Sequence, residues 1–127
     1  MQNIIMQIEG APEGAPFLKI KKADSFFTRL AGLMLQKKLP QGTGLLLAPC
    51  NSVHMCFMRF AIDVIYIDKE YKILKVVKNL KPWVGLSMCN NAWATLEMAA
   101  GEAERCGLKV GKSLIISLSI TTHNSFC

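Results

Sequence analysis

The sequence predicts a mainly β domain of the α+β class, a small β-barrel or sandwich with one short amphipathic helix near the amino end. Three observations predict it. The chain has 127 residues, 51% of them hydrophobic and 19% charged, which suits a single domain spanning residues 1–127. Most of its apolar residues occur in runs of strand length. Gly, Pro and Asn residues mark turns between many of these runs.

The first third of the chain contains two predicted strands and the predicted helix. Residues 3–8 and 17–21 are apolar runs, and the loop 10–16 between them holds two Gly and two Pro, which exclude a regular element. Asp24 is suited to cap a helix, since its carboxylate can accept the free amides of the first turn. Apolar residues then follow at helical spacing, namely Phe26, Phe27, Leu30, Leu33 and Met34.

Beyond this helix the pattern is that of strands. Residues 62–67 are apolar on both faces, as in a central strand, and residues 68–70 form a plausible turn into the next strand of a hairpin. Gly101 and Gly107 bound one helical turn at 102–106, with Gly107 as the left-handed residue that ends it. The predicted strands are residues 45–47, 53–58, 62–67, 73–77, 93–98 and 114–120.

Composition excludes several classes of protein. The few charges and many apolar residues rule out charge-driven disorder. The uncharged stretch 39–58 has the length of a membrane span, but its Pro and Gly residues would repeatedly break a helix. Residues 1–7 lack the basic leader and apolar core of a signal peptide, and the five cysteines show no paired spacing. We therefore expect a cytoplasmic protein with free thiols and no transmembrane segment.

The densest chemistry lies in residues 50–63, where two reactive interpretations are disfavoured. The side chains that suit copper(I) as soft ligands are those of His54, Met55, Cys56, Met58, Met88 and Cys89. In a strand His54, Cys56 and Met58 share one face while Met55 points to the other, so at most three groups converge, and no ligand-spacing motif is present. A Cys beside His54 could form a nucleophile–base pair, yet no nucleophile elbow accompanies it. We therefore expect no metal and no cofactor.

Two further interpretations of the same segment stay open. Arg59 and Asp63 could form a partly buried ion pair that fixes the bend between two strands, and breaking such a pair costs about 3–5 kcal/mol. Alternatively, this segment could line a polar cleft for a small ligand or a partner peptide, with one Trp and one Glu nearby. The predicted binding residues are Asn51, His54, Arg59, Asp63, Trp83 and Glu97.

Lysines recur at every third position of 69–81, within a net charge of +6. A flat strand alternates with a period of two, so this spacing does not put them on one face unless a bulge intervenes. No stacking aromatic residues interleave them. We interpret them as a solvated sheet edge that blocks edge-to-edge pairing. They are Lys69, Lys72, Lys75, Lys78 and Lys81.

Several motifs resemble the bacterial and archaeal family called domain of unknown function 192. The resemblance covers residues 15–118 and implies a compact, mainly β fold with a helix near the amino end. It implies no established activity, substrate or cofactor. Members often have Pro where Ala61 stands and a Thr-like residue where Met55 stands, so the Met55 thioether falls outside the family pattern. The matching motifs are RLAGLM (29–34), LP (39–40), GLLL (44–47), PCNSVH (49–54), FMRF (57–60), IDV (62–64), LKPW (80–83), LE (96–97), AG (100–101) and GLKVG (107–111).

Together these observations favour a non-catalytic binding or accessory module with a small-molecule or protein partner. One alternative is a hydrolase-like enzyme in which His54 is the general base and Asp63 or Glu97 orients it, facing an open pocket. The other is a nucleic-acid-binding protein that uses the five lysines, for which binding would depend steeply on salt. The ligand, the partner and the oligomeric state do not follow from the sequence.

Overall fold

The fold is that of a computed structural model, which describes residues 2–23, 39–56 and 58–121. Nine strands and one short helix lie within these residues. The strands are β1 (Gln2–Ile8), β2 (Leu18–Ala23), β3 (Thr43–Leu47), β4 (Ser52–His54), β5 (Ile62–Ile67), β6 (Ile73–Leu80), β7 (Leu86–Met88), β8 (Ala94–Ala99) and β9 (Leu114–Thr121), and the helix α1 (Glu102–Arg105) lies between β8 and β9.

Seven of these strands form one curled sheet in the order β6-β5-β8-β3-β2-β1-β9. All neighbours in it are antiparallel except β2 and β3, whose parallel pairing requires a crossover connection. The two edges meet at one corner, where Lys72 bridges Ser113. There the Ile73 amide donates to the Lys112 carbonyl at 2.8 Å. The sheet is therefore a half-barrel.

The curled sheet has a core on each face. On one face, side chains from both ends of the sheet meet in a single cluster that includes Met6 of β1 and Ile65 of β5, so this face is concave. On the other, convex face, Val64 and Tyr66 of β5 pack with Val53 of β4. Alternation along β5 sends successive side chains into different cores, which explains why all six of its residues are buried.

The convex face is covered by a second, two-stranded antiparallel sheet of β4 and β7, which we call the cover sheet. Val53 and Ser87 point from it toward the convex core, while their strand neighbours point outward. The alternation of a strand thus gives the cover sheet one buried and one exposed side.

The mainly β class and most of the predicted strands are confirmed, with β5 at the predicted bounds. The turn at 68–70 joins antiparallel β5 and β6 as predicted. The predicted strand at 53–58 ends already at His54. The predicted amphipathic helix beginning at Asp24 lies outside the described residues and receives no support from them, since the helix in the described part of the chain is α1.

The five lysines lie on or beside β6, an edge strand, and all are exposed. The register between β5 and β6 shifts where Tyr66 pairs with Lys75 and Ile67 with Ile73, which leaves Leu74 as an extra residue on β6. A bulge of this kind changes which face later side chains occupy. The five lysines are thus exposed along a sheet edge, as predicted, while their role in blocking edge-to-edge pairing stays a prediction.

Helix α1 is only four residues long and is held by two buried carboxylates. Its N-cap, Gly101, has no side chain, so Asp63 of β5 accepts the Gly101 and Ala103 amides at 3.0 and 2.9 Å. Glu102 binds Arg105 through two hydrogen bonds of 2.7 Å and also accepts the Gly42 amide at 2.8 Å. These hydrogen bonds connect α1 to β5 and to Gly42, the residue immediately before β3.

Glu102 is expected to make stability depend on pH in the acid range. The hydrogen bonds from Arg105 hold the pKa of Glu102 below its usual value of 4.5, while burial opposes them and the Gly42 amide supports them. Because the folded state then binds the proton less readily, this contribution is present above pH 4.5 and is lost as the pH falls. Arg105→Gln should lower the free energy of unfolding by about 1 kcal/mol at neutral pH.

Urea unfolding at neutral pH and near pH 3 tests this expectation. The difference between the wild type and Arg105→Gln should shrink at the acid pH, because protonation of Glu102 weakens its pairing with Arg105 as the pH falls. Lys109→Gln removes the same charge from an exposed position and should change stability by less than about 0.5 kcal/mol. Equal losses in the two variants would contradict the assignment.

Candidate functional site

The six predicted binding residues divide into exposed and buried side chains. Asn51, His54, Arg59 and Trp83 are exposed. Asp63 and Glu97 are only 1% and 3% exposed. The structure therefore does not bring all six into one cleft.

Asp63 lies on the concave side, next to helix α1. Its Oδ1 accepts the Asn79 amide at 2.8 Å, and its Oδ2 accepts two amides at the start of α1. It forms no ion pair with Arg59, because in the described part of the chain the ion pair is that of Glu102 and Arg105. The ion-pair interpretation of Arg59 and Asp63 is therefore wrong, and Asp63 has a structural role.

Glu97 lies on the opposite, convex side of the sheet. It pairs across the strands with Leu45 and Val64 and is buried beneath the cover sheet. His54 points outward from the cover sheet, away from this core. Neither carboxylate is placed to orient His54, so the arrangement required by the general-base alternative is absent.

Hydroxyl groups are buried between the convex face and the cover sheet. Burial is the main reason that the pKa of Tyr66 is raised above its usual value, and Cys50, Cys89 and Glu97 add to this while Ser87 opposes it. Tyr66 and Ser87 thus place two adjacent hydroxyls within the largely apolar convex core.

The outward side of the cover sheet exposes large apolar side chains, which we call the docking face. Leu86 and Met88 point outward from β7 on either side of buried Ser87. Trp83 and Val84 lie in the turn immediately before them. The exposed fractions are 56% for Trp83, 81% for Val84, 74% for Leu86 and 55% for Met88. A group of adjacent exposed apolar residues marks an interaction surface more often than scattered single ones do.

The sequence identified only Trp83 in this group. Segment 82–96 is uncharged, and such a segment is ordinarily assigned to the core. Because side chains alternate along a strand, Leu86 and Met88 lie on one side of β7 and Ser87 on the other. The alternation does not show which of these two sides is covered by the rest of the protein. Here the small polar residue points inward and the apolar ones outward, the reverse of the usual pattern.

The backbone holds Trp83 in a conformation that bulky residues rarely adopt. Its φ is 67°, in the left-handed region, which costs roughly 1–2 kcal/mol for such a residue. The Trp83 amide donates to the Met55 carbonyl at 2.8 Å, and the Gly85 amide donates to the Lys81 carbonyl at 3.0 Å. These bonds fix a tight turn with the Trp83 side chain exposed.

The surroundings of the docking face carry positive charge. The Lys75 ammonium donates to the Met88 carbonyl at 2.8 Å, Lys81 begins the turn that carries Trp83, and Arg59 is exposed. The segments 39–67 and 71–101 contain two carboxylates, Asp63 and Glu97, and both are buried. These two segments therefore carry no exposed carboxylate, whereas Asp68 and Glu70, which lie between them in the chain, are at one end of the cover sheet.

A separate cleft of about 600 Å³ lies beside one end of the cover sheet. Its walls are the loop after β3, the turn between β5 and β6, and the turn before β8. Asn51 is the predicted binding residue that contributes to it. The lining residues are Pro49, Cys50, Asn51, Asp68, Lys69, Glu70, Asn91, Ala92 and Trp93.

Within the described residues, no group of three or more His, Cys, Asp or Glu side chains is arranged to hold a metal ion. Cys50, Cys56, Cys89 and Cys106 are free thiols, and Cys127 lies outside the described residues. No helix in the described part is long and apolar enough to cross a membrane.

Comparison with known proteins identifies the family. The model of domain of unknown function 192 (DUF192), described as "Uncharacterized ACR", matches residues 7–116. The chain belongs to the DUF192 family. This confirms the resemblance found in its motifs, and the DUF192 description names no activity or ligand.

Archaeal relatives of this DUF192 chain are named UPF0127 proteins. PF1050 of Pyrococcus furiosus is 31% identical over 102 residues, 76% of this chain and 85% of that protein. PH1112 of Pyrococcus horikoshii is 36% identical over 70 residues, 51% of this chain. The matches cover 58% of PH1112 and 64% of a relative from Thermococcus sibiricus, so they span less than two thirds of those two proteins.

Two crystal structures share the fold of this DUF192 chain. A protein of unknown function from Novosphingobium aromaticivorans superposes with a TM-score of 0.76 at 20% identity, covering 91% of this chain and 86% of that one. A protein from Sinorhizobium meliloti, named as a candidate transcription regulator, gives 0.79 at 19% identity, covering 92% and 95%. At such identities the similarity shows the fold alone.

Proposed function

We propose that this DUF192 protein is a non-catalytic, cytoplasmic binding module whose docking face takes an acidic, apolar peptide segment of a protein partner. The observation that carries the proposal is the group of four exposed apolar side chains in residues 83–88. His54 pairs with Leu86 across the cover sheet and lies beside them. Trp83, His54 and Arg59 are the predicted binding residues that take part.

The positive charges beside the docking face favour an acidic partner over a basic one. Apolar side chains supply most of the affinity of an interface, while charges around it set partner choice and association rate. Lys75 and Lys81 lie beside the docking face, and the segment 71–101 that contains this face has no exposed carboxylate. A basic partner would be repelled, and an apolar partner without acidic residues would leave these cations unmatched.

The conformation of Trp83 supports the same conclusion. A strained backbone persists where the surrounding structure holds it, and such strain concentrates at functional sites. Here backbone hydrogen bonds to the Met55 and Lys81 carbonyls hold the turn, and the strained residue carries an indole that is 56% exposed. An indole held in this way is available for contact with a partner.

Selection of phage-displayed dodecapeptides on the wild-type protein tests the proposal. The enriched peptides should combine Leu, Phe or Trp with Asp or Glu. In fluorescence anisotropy, the best labelled peptide should lose at least tenfold in affinity for Leu86→Ser, about 1.4 kcal/mol. Lys81→Glu should weaken binding more at low salt than at high salt.

Val110→Ser is the matched control, since Val110 is 63% exposed and lies outside the docking face. It should bind the peptide as the wild type does. Enrichment of basic peptides, or equal binding by Leu86→Ser and Val110→Ser, would refute the proposal. So would stronger binding of phosphatidylserine vesicles or of RNA through the same side chains.

A further inference from the structure

The cleft beside the cover sheet is built on a rigid frame. The Cys50 amide donates to the Trp93 carbonyl at 3.0 Å, and the Trp93 amide donates to the Ile67 carbonyl at 2.9 Å. Thr95 Oγ1 donates to the Cys50 carbonyl at 2.9 Å. These bonds tie the walls to β5 and β8, so the cleft is formed before any ligand arrives.

The third wall is fixed by Asp68. Its Oδ1 accepts the Glu70 and Lys72 amides at 2.9 and 3.0 Å, which holds the turn between β5 and β6. Tyr71 supports Trp93 through an edge-to-face contact with ring centroids 5.8 Å apart. Trp93 is half-buried, packs against the concave core and also lines the cleft.

We propose that this cleft binds a neutral, hydroxyl-rich small molecule of the mono- or disaccharide class. Its volume of about 600 Å³ lies within the usual range for small-molecule sites, about 300–1,000 Å³. Asn51 and Asn91 line it from two different walls. A carboxamide carries both donors and an acceptor, which matches hydroxyl groups that both donate and accept.

The charges of the cleft disfavour an anionic ligand. Lys69 stands between Asp68 and Glu70 in the chain, and all three line the cleft. The single cation is thus matched by adjacent carboxylates, so a phosphate or carboxylate ligand would meet net negative charge. A sugar has the complementary surface, since its hydroxyls suit the amides and its C–H face suits the Trp93 ring.

Trp93 also provides the means of testing this proposal. The chain has two tryptophans, so Trp83→Phe leaves Trp93 as the single fluorescent indole. In this background, titration with glucose, galactose, N-acetylglucosamine, maltose and cellobiose should give a saturable fluorescence change for at least one sugar. We expect a dissociation constant of about 1 mM or lower and reduced quenching of Trp93 by acrylamide. Tighter binding of disaccharides than of monosaccharides would support the proposal and indicate that the ligand is the end of a glycan chain.

Asn51→Ala and Asn91→Ala should each weaken binding at least tenfold. The control is Asn90→Ala, because Asn90 is exposed and adjacent but does not line the cleft; it should bind as the background does. The proposal is overturned if no sugar gives saturation. It is equally overturned if all three Asn variants bind alike, or if inorganic phosphate or adenosine monophosphate binds more tightly than every sugar. None of these outcomes bears on the docking face, which lies outside the cleft.

Discussion

Asp63→Ala should lower the free energy of unfolding by about 4 kcal/mol. The carboxylate is 1% exposed and accepts the amides of Asn79, Gly101 and Ala103. Hydrogen bonds to a charged group contribute about 1.5–3 kcal/mol each, and leaving buried donors unsatisfied is costly. The loss is smaller than the sum of three such bonds, because they share one carboxylate and because water can enter the space left by the side chain. Urea unfolding at neutral pH measures it.

Asp68→Ala is the control for this loss. The Asp68 carboxylate also accepts two backbone amides, those of Glu70 and Lys72, but in an exposed turn where water can replace it. We expect a loss of about 1 kcal/mol. If Asp63→Ala were no more destabilised than Asp68→Ala, the assignment of Asp63 as the buried cap of α1 would be wrong.

Gly85→Ala should cost about 3 kcal/mol and loosen the cover sheet. A Cβ at Gly85 would lie 2.5 Å from the Lys81 carbonyl oxygen, 2.8 Å from Leu80 Cγ and 2.9 Å from Met55 Cγ. The backbone oxygen accepts the Gly85 amide and cannot move without opening the turn, so the strain falls on the tight turn that carries Trp83. Peptide binding at the docking face should fall in the same variant.

Gly111→Ala separates this steric effect from backbone strain. Gly111 has a φ of 92° and open space around its Cα, so alanine there should cost only about 1 kcal/mol and leave peptide binding unchanged. Thermal unfolding and fluorescence anisotropy measure the two effects. A Gly85→Ala protein as stable as Gly111→Ala, with full peptide affinity, would show that the close approach at Gly85 is not required.

Local signals were sufficient to predict much of the fold. Residues 62–67 carry apolar side chains on both faces and are followed by a turn, and they form β5 at the predicted bounds. Gly107 was predicted as the left-handed residue after a helical turn, and its φ is 68°. Both features depend on residues close in the chain. The parallel pairing of β2 with β3 depends on distant segments and was not predicted.

The candidate sites were less predictable, because polarity does not show which neighbour a side chain meets. Asp63 and Glu97 were expected beside His54, yet they lie on opposite faces of the curled sheet. Leu86 and Met88 lie in an uncharged segment that composition alone would assign to the core, yet they are exposed. Asn51 lines a cleft with Asn91 and Trp93, two residues about 40 positions away that no spacing rule connects to it.

The sequence by itself determined the class of the fold, since 51% hydrophobic residues in short runs favour strands that bury both faces. It also determined the family through motifs in order along the chain. Only the tertiary structure decided what each polar or apolar residue does. Strand alternation defines two sides, but the curl of the sheet and the position of the cover sheet decide which side is buried. The same alternation therefore makes Asp63 a buried cap and Leu86 part of an exposed docking face.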